Sequence, residues 1–272
     1  MNIVYREFEE NLCEFFGNPI IGVFTDEPQN YRPFPWTADL PRRFEEEYGY
    51  DLIPHLGSLI EDSGDFADIR HDYYRLVTLM GREAYYDKLR AWTRTHDLHL
   101  TGHLGEEDFL EKLPHTNGDL YAPLSRLSMP GTDYLGSGHG LKENEVLSGA
   151  PNVNPKMAAS VARTMGRSRT TCEIWGGAGW GVGPRTLKES LDWAAALGIN
   201  LFFPHAVHVS LMGLRKRDFP PSHFYQQPYW DEFHVFSDYI SRVSLITSTG
   251  SRRGGILVLF PTRALWASTT YI

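Results

Sequence analysis

The stretch Ile20-Ile21-Gly22-Val23-Phe24-Thr25-Asp26-Glu27-Pro28 decides the fold class. A run of β-forming residues leads into two adjacent carboxylates, and a proline ends the run. Such a run is typical of a strand buried on both faces of a parallel sheet. Asp26 and Glu27 would then lie at the carboxyl end of the strand, where α/β barrels and open α/β sheets build their active sites. The alternative is that Asp26 caps a turn and that Glu27 is solvated.

Four further strands of this kind are predicted, and helices separate them. They begin near Leu98, Thr132, Thr170 and Ile199. The helices are predicted at 6–16, 41–48, 52–60, 69–96, 156–165, 186–197 and 230–245. Alternation of strands and helices predicts a parallel sheet with right-handed crossovers. A closed barrel needs eight βα units in roughly 250 residues. The five units visible here fit either an open α/β sheet or the later part of a barrel.

The composition is that of a soluble globular protein and excludes several classes of partner. The chain has 272 residues, enough for one large domain or two small ones, and a net charge of -8. An acidic chain argues against nucleic acid and anionic membranes, and it fits a neutral substrate. Aromatic residues make up 13% of the chain, which suits a sugar-binding cleft, although large cores also use aromatic side chains.

The cysteines and the chain ends bear on compartment and completeness. Cys13 and Cys172 do not form a disulfide framework, and we expect both to be reduced and buried. No apolar run reaches the roughly 18–20 residues that span a bilayer, and the first ten residues lack a signal-peptide pattern. The barrel domain is predicted at 1–250. The strand-like run 255–260 would begin a following domain at 251–272, which indicates a piece of a longer protein. In that case a missing signal peptide says nothing about localisation.

Glu27 and Glu173 are the predicted catalytic residues. Glycosidic bonds are usually cleaved by two carboxyl groups, of which one protonates the leaving oxygen and the other attacks the sugar or activates water. Two acids at the carboxyl ends of different strands, facing one open end of a barrel, can supply these two carboxyl groups. The alternative for Glu173 is a buried carboxylate paired with a nearby arginine.

Other polar and aromatic residues near the strand ends are predicted to contact the substrate. Tryptophans here could form a sugar platform or simply pack, and the histidines could bind hydroxyls or belong to the core. The Gly176–Gly181 stretch is not a phosphate loop, because no Lys-Ser/Thr follows it. The full predicted set is Asp26, Trp36, His103, Glu106, Asp133, Trp175, Trp180 and His205.

No cofactor is predicted, and a divalent cation stays open as an alternative. Glu106, Glu107 and Asp108 could bind a cation such as calcium through their oxygens. An acid-rich helix N-terminus is the favoured explanation for Glu107 and Asp108.

Several short phrases resemble the α-L-rhamnosidase family of large glycoside hydrolases. They are Phe24-Thr25-Asp26-Glu27-Pro28, Pro35-Trp36-Thr37, Tyr48-Gly49-Tyr50-Asp51-Leu52, Cys172-Glu173, Leu187-Lys188, and Gly198-Ile199-Asn200 with His205. β-Galactosidase-like barrels share part of this pattern. The resemblance implies a (β/α)₈ barrel of the TIM type in which Glu27 ends the fourth strand and Glu173 the seventh. The first three strands would be absent from this chain.

The resemblance also bears on mechanism. Retaining barrels usually have Asn before the acid, whereas Asp26 occupies that place, which favours the inverting rhamnosidases. Alternation along the strand predicts that the Asp26 side chain points away from Glu27. Burial would then keep Glu27 protonated near neutrality.

Three hypotheses follow for function. The first is a rhamnosidase-like glycosidase with Glu27 as general acid and Glu173 as base or nucleophile; a retaining β-galactosidase-like enzyme is its variant. The second is a barrel fragment that binds carbohydrate without turnover. Its open sheet edge would invite self-association. The third is a metal-dependent sugar isomerase or lyase, for which only His103, Glu106 and His205 are candidate ligands.

Overall fold

A computed structural model describes residues 3–30, 34–107, 110–135, 154–250 and 254–269. Its centre is one five-stranded sheet in which all neighbouring strands run parallel and lie in chain order. The strands are β1 (Gly22–Thr25), β2 (His99–Gly102), β3 (Met129–Tyr134), β4 (Thr171–Ile174) and β5 (Leu201–Pro204). All five predicted strands of the sheet are therefore confirmed.

The sheet is curled into half a barrel. Phe24 of the first strand and Phe203 of the last face each other, with ring centroids 5.3 Å apart. On the same inner face, the hydroxyl oxygens of Thr101 and Thr171 lie 2.7 Å apart although β3 runs between their strands. Gly131 makes this approach possible, since a Cβ there would overlap the Thr171 hydroxyl. The curl distinguishes part of a barrel from a flat open sheet, and the structure describes five strands where a closed barrel requires eight.

Helices connect the strands and cover the outer face of the sheet. The crossover from β1 to β2 contains the predicted segment 69–96, which folds as two α-helices joined by a π-helical turn at Arg82–Tyr86. The α-helices are α1 (Tyr5–Leu12), α2 (Leu40–Tyr48), α3 (Phe66–Gly81), α4 (Asp87–Thr95), α5 (Leu113–Thr116), α6 (Tyr121–Leu124), α7 (Asn154–Thr164), α8 (Pro184–Leu197), α9 (Phe233–Ser248) and α10 (Thr262–Ser268).

Local sequence signals set several helix ends. Gly49 ends α2 in the left-handed conformation, with φ of 79°, and its N–H donates to Glu45 O at 2.8 Å. That geometry is the usual glycine C-cap. Pro184 occupies the start of α8, where its missing N–H costs no helical hydrogen bond. The predicted helix 52–60 is instead a 3₁₀ helix, Ile53–Leu59.

The described core has three apolar clusters, of which two include residues of the sheet. The first joins α2 and α3 to Trp266 of α10. A second lies among β2, α4, α5, α6 and α7. The third packs β4 and α8 around Trp175, with partly buried residues of α9 against it. The second and third clusters hold the outer side of the strands, whereas the polar residues gather at the carboxyl ends of the strands.

The C-terminal segment differs from its prediction. No strand forms over residues 254–260, and Ile256, Leu257, Val258 and Leu259 are 82–96% exposed. The strand predicted at 255–260 is therefore wrong. After it, α10 packs against α3, and the Trp266 indole N–H donates to Gly118 O. A domain boundary at 250/251 stays a prediction.

The two cysteines differ in burial. Cys172 is buried, as expected from alternation along β4, whereas Cys13 is exposed in a 3₁₀ turn, so its predicted burial is wrong. Neither cysteine forms a disulfide. Among the described residues, no helix combines the length and apolar character needed to cross a membrane.

Candidate active site

His103 lies at the centre of the polar cluster at the carboxyl ends of the strands. It follows β2, is 1% exposed, and its Nε2 lies 2.8 Å from Glu173 Oε2 at the end of β4. Its Nδ1 lies 3.4 Å from the carbonyl oxygen of Leu104. Both ring nitrogens thus face acceptors, which is the arrangement of a protonated imidazole that donates twice. Glu173 is paired with a histidine, and not with the arginine considered as its alternative.

The two acids after β1 reach the same histidine. Asp26 Oδ1 lies 3.3 Å from His103 Nε2 although the Asp26 side chain is 76% exposed. Glu27 offers a carboxylate oxygen within 4.8 Å of a ring nitrogen of His103 and of an oxygen of Asp133. Asp26, His103 and Glu173 form a second group, in which one nitrogen or oxygen atom of each residue lies within 4.8 Å of the others. Glu27 and Glu173 therefore converge on one imidazole from different strands. This agrees with the prediction that the carboxyl ends of their parallel strands lie on the same side of the sheet.

Backbone geometry explains why Asp26 and Glu27 share a side. Glu27 has φ of 43°, in the left-handed region that a residue with a side chain rarely adopts. This conformation ends the strand alternation, so the prediction that Asp26 points away from the site is wrong. Glu106 and Trp175, which follow β2 and β4, also have positive φ, at 52° and 75°. Strained residues of this kind cluster at functional sites.

Glu27 is exposed, unlike the buried acid expected from the sequence. Glu173 is more protected, with 17% of its side chain exposed. The predicted burial of Glu27 is therefore wrong.

Glu107 makes a set of buried contacts that the sequence did not predict. Its carboxylate is buried and accepts hydrogen bonds from the Thr132 hydroxyl and from the N–H groups of Asp133, at 2.7 Å, and Leu104, at 3.3 Å. It thereby ties the end of β2 to the end of β3. Glu107 does not begin a helix, so the explanation as a helix N-terminus is wrong. The only signal in the sequence was an acid four residues after a buried histidine, which is too common to be diagnostic.

The charges around His103 set its protonation. Burial lowers its pKa, but the hydrogen bond to Glu173 and the negative charges of Glu107, Asp133 and Glu173 outweigh burial and raise the pKa to about 9. Burial raises the pKa of Glu107, while His103 and the hydrogen bonds to Thr132, Asp133 and Leu104 oppose that change. At neutral pH a buried imidazolium thus lies among five carboxyl groups, those of Asp26, Glu27, Glu107, Asp133 and Glu173.

The tryptophans do not form one platform. Trp175 is 1% exposed, and its indole N–H donates to Ser190 Oγ at 2.8 Å. It is a core residue, so its predicted contact with substrate is wrong. Trp180 is 37% exposed, and its N–H donates to Lys216 O at 2.7 Å. Trp36 is 46% exposed and lines a separate cavity beside α3. Only Trp36 and Trp180 present an accessible ring.

His205 and Glu106 lie at the edge of the cluster. His205 follows β5, is half-buried, and faces the position of Gly176 and the ring of Phe219, 6.3 Å away. Its buried Nδ1 has no hydrogen-bond partner among the residues that the structure describes. Glu106 Oε1 lies 3.5 Å from Lys112 Nζ, and Glu106 belongs to neither group around His103.

A cation bound by oxygens after β2 is not supported by the described side chains. Glu107 is engaged by three donors, Glu106 pairs with Lys112, and Asp108 lies outside the described residues. The two groups around His103 each offer two carboxylates and one imidazole, whereas calcium prefers six to eight oxygens. Both groups share the imidazole of His103, whose Nε2 already lies 2.8 Å from Glu173 and 3.3 Å from Asp26. The absence of a cofactor stays a prediction.

Comparison with solved structures supports the fold. The chain is similar to the structure of a rhamnosidase from Novosphingobium sp. PP1Y, with a TM-score of 0.67 and 22% sequence identity. The match covers 89% of this chain and 23% of that rhamnosidase, so the chain spans about a quarter of its relative's length. No curated protein sequence matches the chain.

Five parallel βα units and a cluster of acids at their carboxyl ends define a (β/α)-barrel protein of the kind that carries its site at the strand ends. A family model described as alpha-L-rhamnosidase matches residues 16–264, which is most of the chain. The chain therefore belongs to the α-L-rhamnosidase family of glycoside hydrolases.

Proposed function

We propose that this chain carries the catalytic site of a glycoside hydrolase that removes terminal rhamnose from a carbohydrate, using Glu27 and Glu173. One observation supports this most strongly. Carboxylates from the ends of β1 and β4 both lie within 4.8 Å of a ring nitrogen of His103. Two carboxyl groups that face one pocket are the usual equipment for cleaving a glycosidic bond.

Glu173 is the proposed base. One of its oxygens is held by His103 Nε2 at 2.8 Å, which leaves the other oxygen to accept a proton from water. The water oxygen then forms a bond to the anomeric carbon on the face opposite the leaving group.

Glu27 is the proposed acid. It donates its proton to the glycosidic oxygen while the bond from that oxygen to the anomeric carbon breaks, so the alcohol leaves neutral. Its exposed position at the mouth suits a group that must reach a departing sugar and regain a proton from solvent. Asp26, in place of the Asn usual in retaining barrels, is the reason to propose inversion.

The neighbouring polar groups are proposed to hold the sugar. Asp133 lies beside Glu27 and His103, where it can accept hydrogen bonds from sugar hydroxyls. His205 Nδ1, buried without a partner among the described residues, can exchange a hydrogen bond with another hydroxyl. Buried polar atoms that lack a protein partner commonly bind water or ligand.

The test is hydrolysis of an α-L-rhamnoside with a poor leaving group, such as a second sugar, with the matching β-D-galactoside as comparison. Release of rhamnose, and its loss in both Glu27→Gln and Glu173→Gln, is the expected result. Faster cleavage of the galactoside would support the β-galactosidase-like alternative. Turnover that survives both substitutions would reject the assignment of the two acids.

A non-catalytic carbohydrate-binding barrel fragment is the second candidate. In the part of the chain that the structure describes, β1 and β5 each pair on one side only. Such edges also support a proposal of self-association through strand pairing. Rhamnoside binding without turnover would favour this candidate, and sedimentation over a range of concentrations would test the self-association.

A further inference from the structure

A second cavity lies beside the loop that leaves β1. Its volume is about 450 Å³, within the range of small-molecule sites, and no residue of the cluster around His103 lines it. The loop residues Asn30 and Pro35–Leu40 form one wall. The end of α3 and the π-helical turn that follows it form the other wall.

The cavity combines an aromatic ring with an apolar floor. The indole of Trp36 is 46% exposed, although large aromatic rings are usually covered. Leu40 and Val77, both buried, contribute the floor, together with Met80. A flat ring above an apolar floor matches the C–H face of a pyranose, which packs on aromatic side chains.

The rim supplies hydrogen bonds without a net charge. Two cations, Arg43 and Lys88, and two anions, Asp39 and Glu83, line it. Arg43 Nη2 lies 3.0 Å from Glu83 Oε2. Balanced charges favour a neutral ligand with many hydroxyl groups over an ionic one.

The walls are held in place before any ligand arrives. The buried Tyr73 donates its hydroxyl to Pro35 O at 2.7 Å, and Thr37 Oγ1 donates to Asp39 Oδ1 at 2.7 Å. Asn30 N–H donates to Thr116 O at 2.6 Å. A preformed site loses little conformational entropy when it binds a ligand.

We propose that the Trp36 cavity is a second carbohydrate subsite, which binds the sugar unit next to the rhamnose that is cleaved. The inference rests on the proposed function, in which Glu27 is the acid. The cavity borders the loop that follows Glu27. Asn30 follows Glu27 by three residues, so their Cα atoms are at most roughly 11 Å apart. A general acid faces the leaving group, so the leaving sugar departs toward its side of the pocket.

The test compares two substrates that differ only in the leaving group. α-L-Rhamnosyl fluoride has no second sugar, whereas a rhamnosyl disaccharide has one. Trp36→Ala is expected to lower kcat/KM for the disaccharide about tenfold, mainly through KM, and to change the fluoride reaction less than about twofold. Trp36→Phe should retain most of the activity.

Arg42→Ala is the matched control for the rim. Arg42 precedes Arg43 on α2 but pairs with Glu46 outside the cavity, at 2.7 Å. It should change neither reaction, whereas Arg43→Ala should weaken the disaccharide reaction alone. Arg43→Ala also provides the test if Trp36→Ala does not fold.

Equal effects of Trp36→Ala on both substrates, or no effect on either, would overturn the subsite. A binding experiment distinguishes failure of the subsite from failure of the proposed function. Calorimetric titration of Glu27→Gln protein with the disaccharide should show binding that Trp36→Ala weakens. Binding of that kind in a chain that hydrolyses nothing would keep the subsite and reject the hydrolase. Hydrolysis with no dependence on Trp36 would do the reverse, and absence of both would reject both.

Discussion

The ends of β1 and β4 carry the two proposed catalytic acids in opposite settings. Glu173 continues a buried strand, has 17% of its side chain exposed, and is held by His103 at 2.8 Å. Glu27 is exposed and has left-handed φ of 43°. One acid is held by a hydrogen bond from a buried imidazole, and the other is exposed where it can approach a leaving group. The same residue type can therefore serve as base or acid according to what the strand end places beside it.

The strongest test of this contrast removes the fixed acid. Glu173→Gln keeps the shape and a hydrogen bond to His103 but cannot accept a proton. Because general bases contribute about 10²–10⁴ in rate, kcat for every rhamnoside should fall by about that factor. Steady-state assays measure it. Glu189→Gln, an exposed acid on α8, is the control and should retain full activity. A small loss in Glu173→Gln would contradict the assignment.

Removing the exposed acid should have an effect that depends on the leaving group. Glu27→Gln cannot protonate the departing oxygen, so substrates with poor leaving groups should lose about 10²–10⁴ in kcat and activated aryl rhamnosides much less. Plotting log kcat against leaving-group pKa should give a steeper slope than for the unaltered protein. An unchanged slope would exclude Glu27 as the acid.

The imidazolium beside Glu173 should make stability depend on alkaline pH. The folded pKa of His103 is about 9 against about 6.5 in an unfolded chain. The native state therefore binds the extra proton more tightly. This stabilisation, about 3 kcal/mol, is complete below pH 6.5 and is lost as the pH rises through 9. Urea unfolding at pH 6 to 10 should show this fall, and His103→Gln should remove it. A flat profile in the unaltered protein would argue against the charge assignment.

Thiol labelling compares solvent access near the two strands without any substitution. Cys172 is the neighbour of Glu173 on β4 and is fully buried, whereas Cys13 precedes β1 and is exposed. A maleimide should label Cys13 within minutes and Cys172 only under unfolding conditions, because labelling requires access. Mass spectrometry of tryptic peptides distinguishes the sites. Rapid labelling of Cys172 would mean that β4 opens in the native state.

The sequence predicted the strands well, because a buried strand leaves a local signature. Short apolar runs between breakers identified all five strands. The same runs predicted that Glu27, His103, Asp133, Glu173 and His205 lie at or just after the carboxyl ends of strands. In contrast, 255–260 carries the same signature without pairing in the described structure, since pairing depends on a neighbour and not on composition.

The predictions that failed depended on local backbone geometry and on long-range contacts. The left-handed φ of Glu27 reverses the expected side of Asp26, and no neighbouring residue in the sequence predicts this backbone conformation. Trp175 is buried because α8 supplies Ser190 to its N–H, a contact across 15 positions. Glu107 became visible only through Thr132 and Asp133, which lie on another strand.

The configuration of the first sugar released tests the central claim most directly, because it requires both acids to act as proposed. Proton NMR at early times, before mutarotation, follows the anomeric signal during hydrolysis of an α-L-rhamnoside. With Glu173 activating water opposite a leaving group protonated by Glu27, the account predicts β-L-rhamnose as the first product. Initial formation of α-L-rhamnose would contradict the account, since retention requires a covalent intermediate on the enzyme.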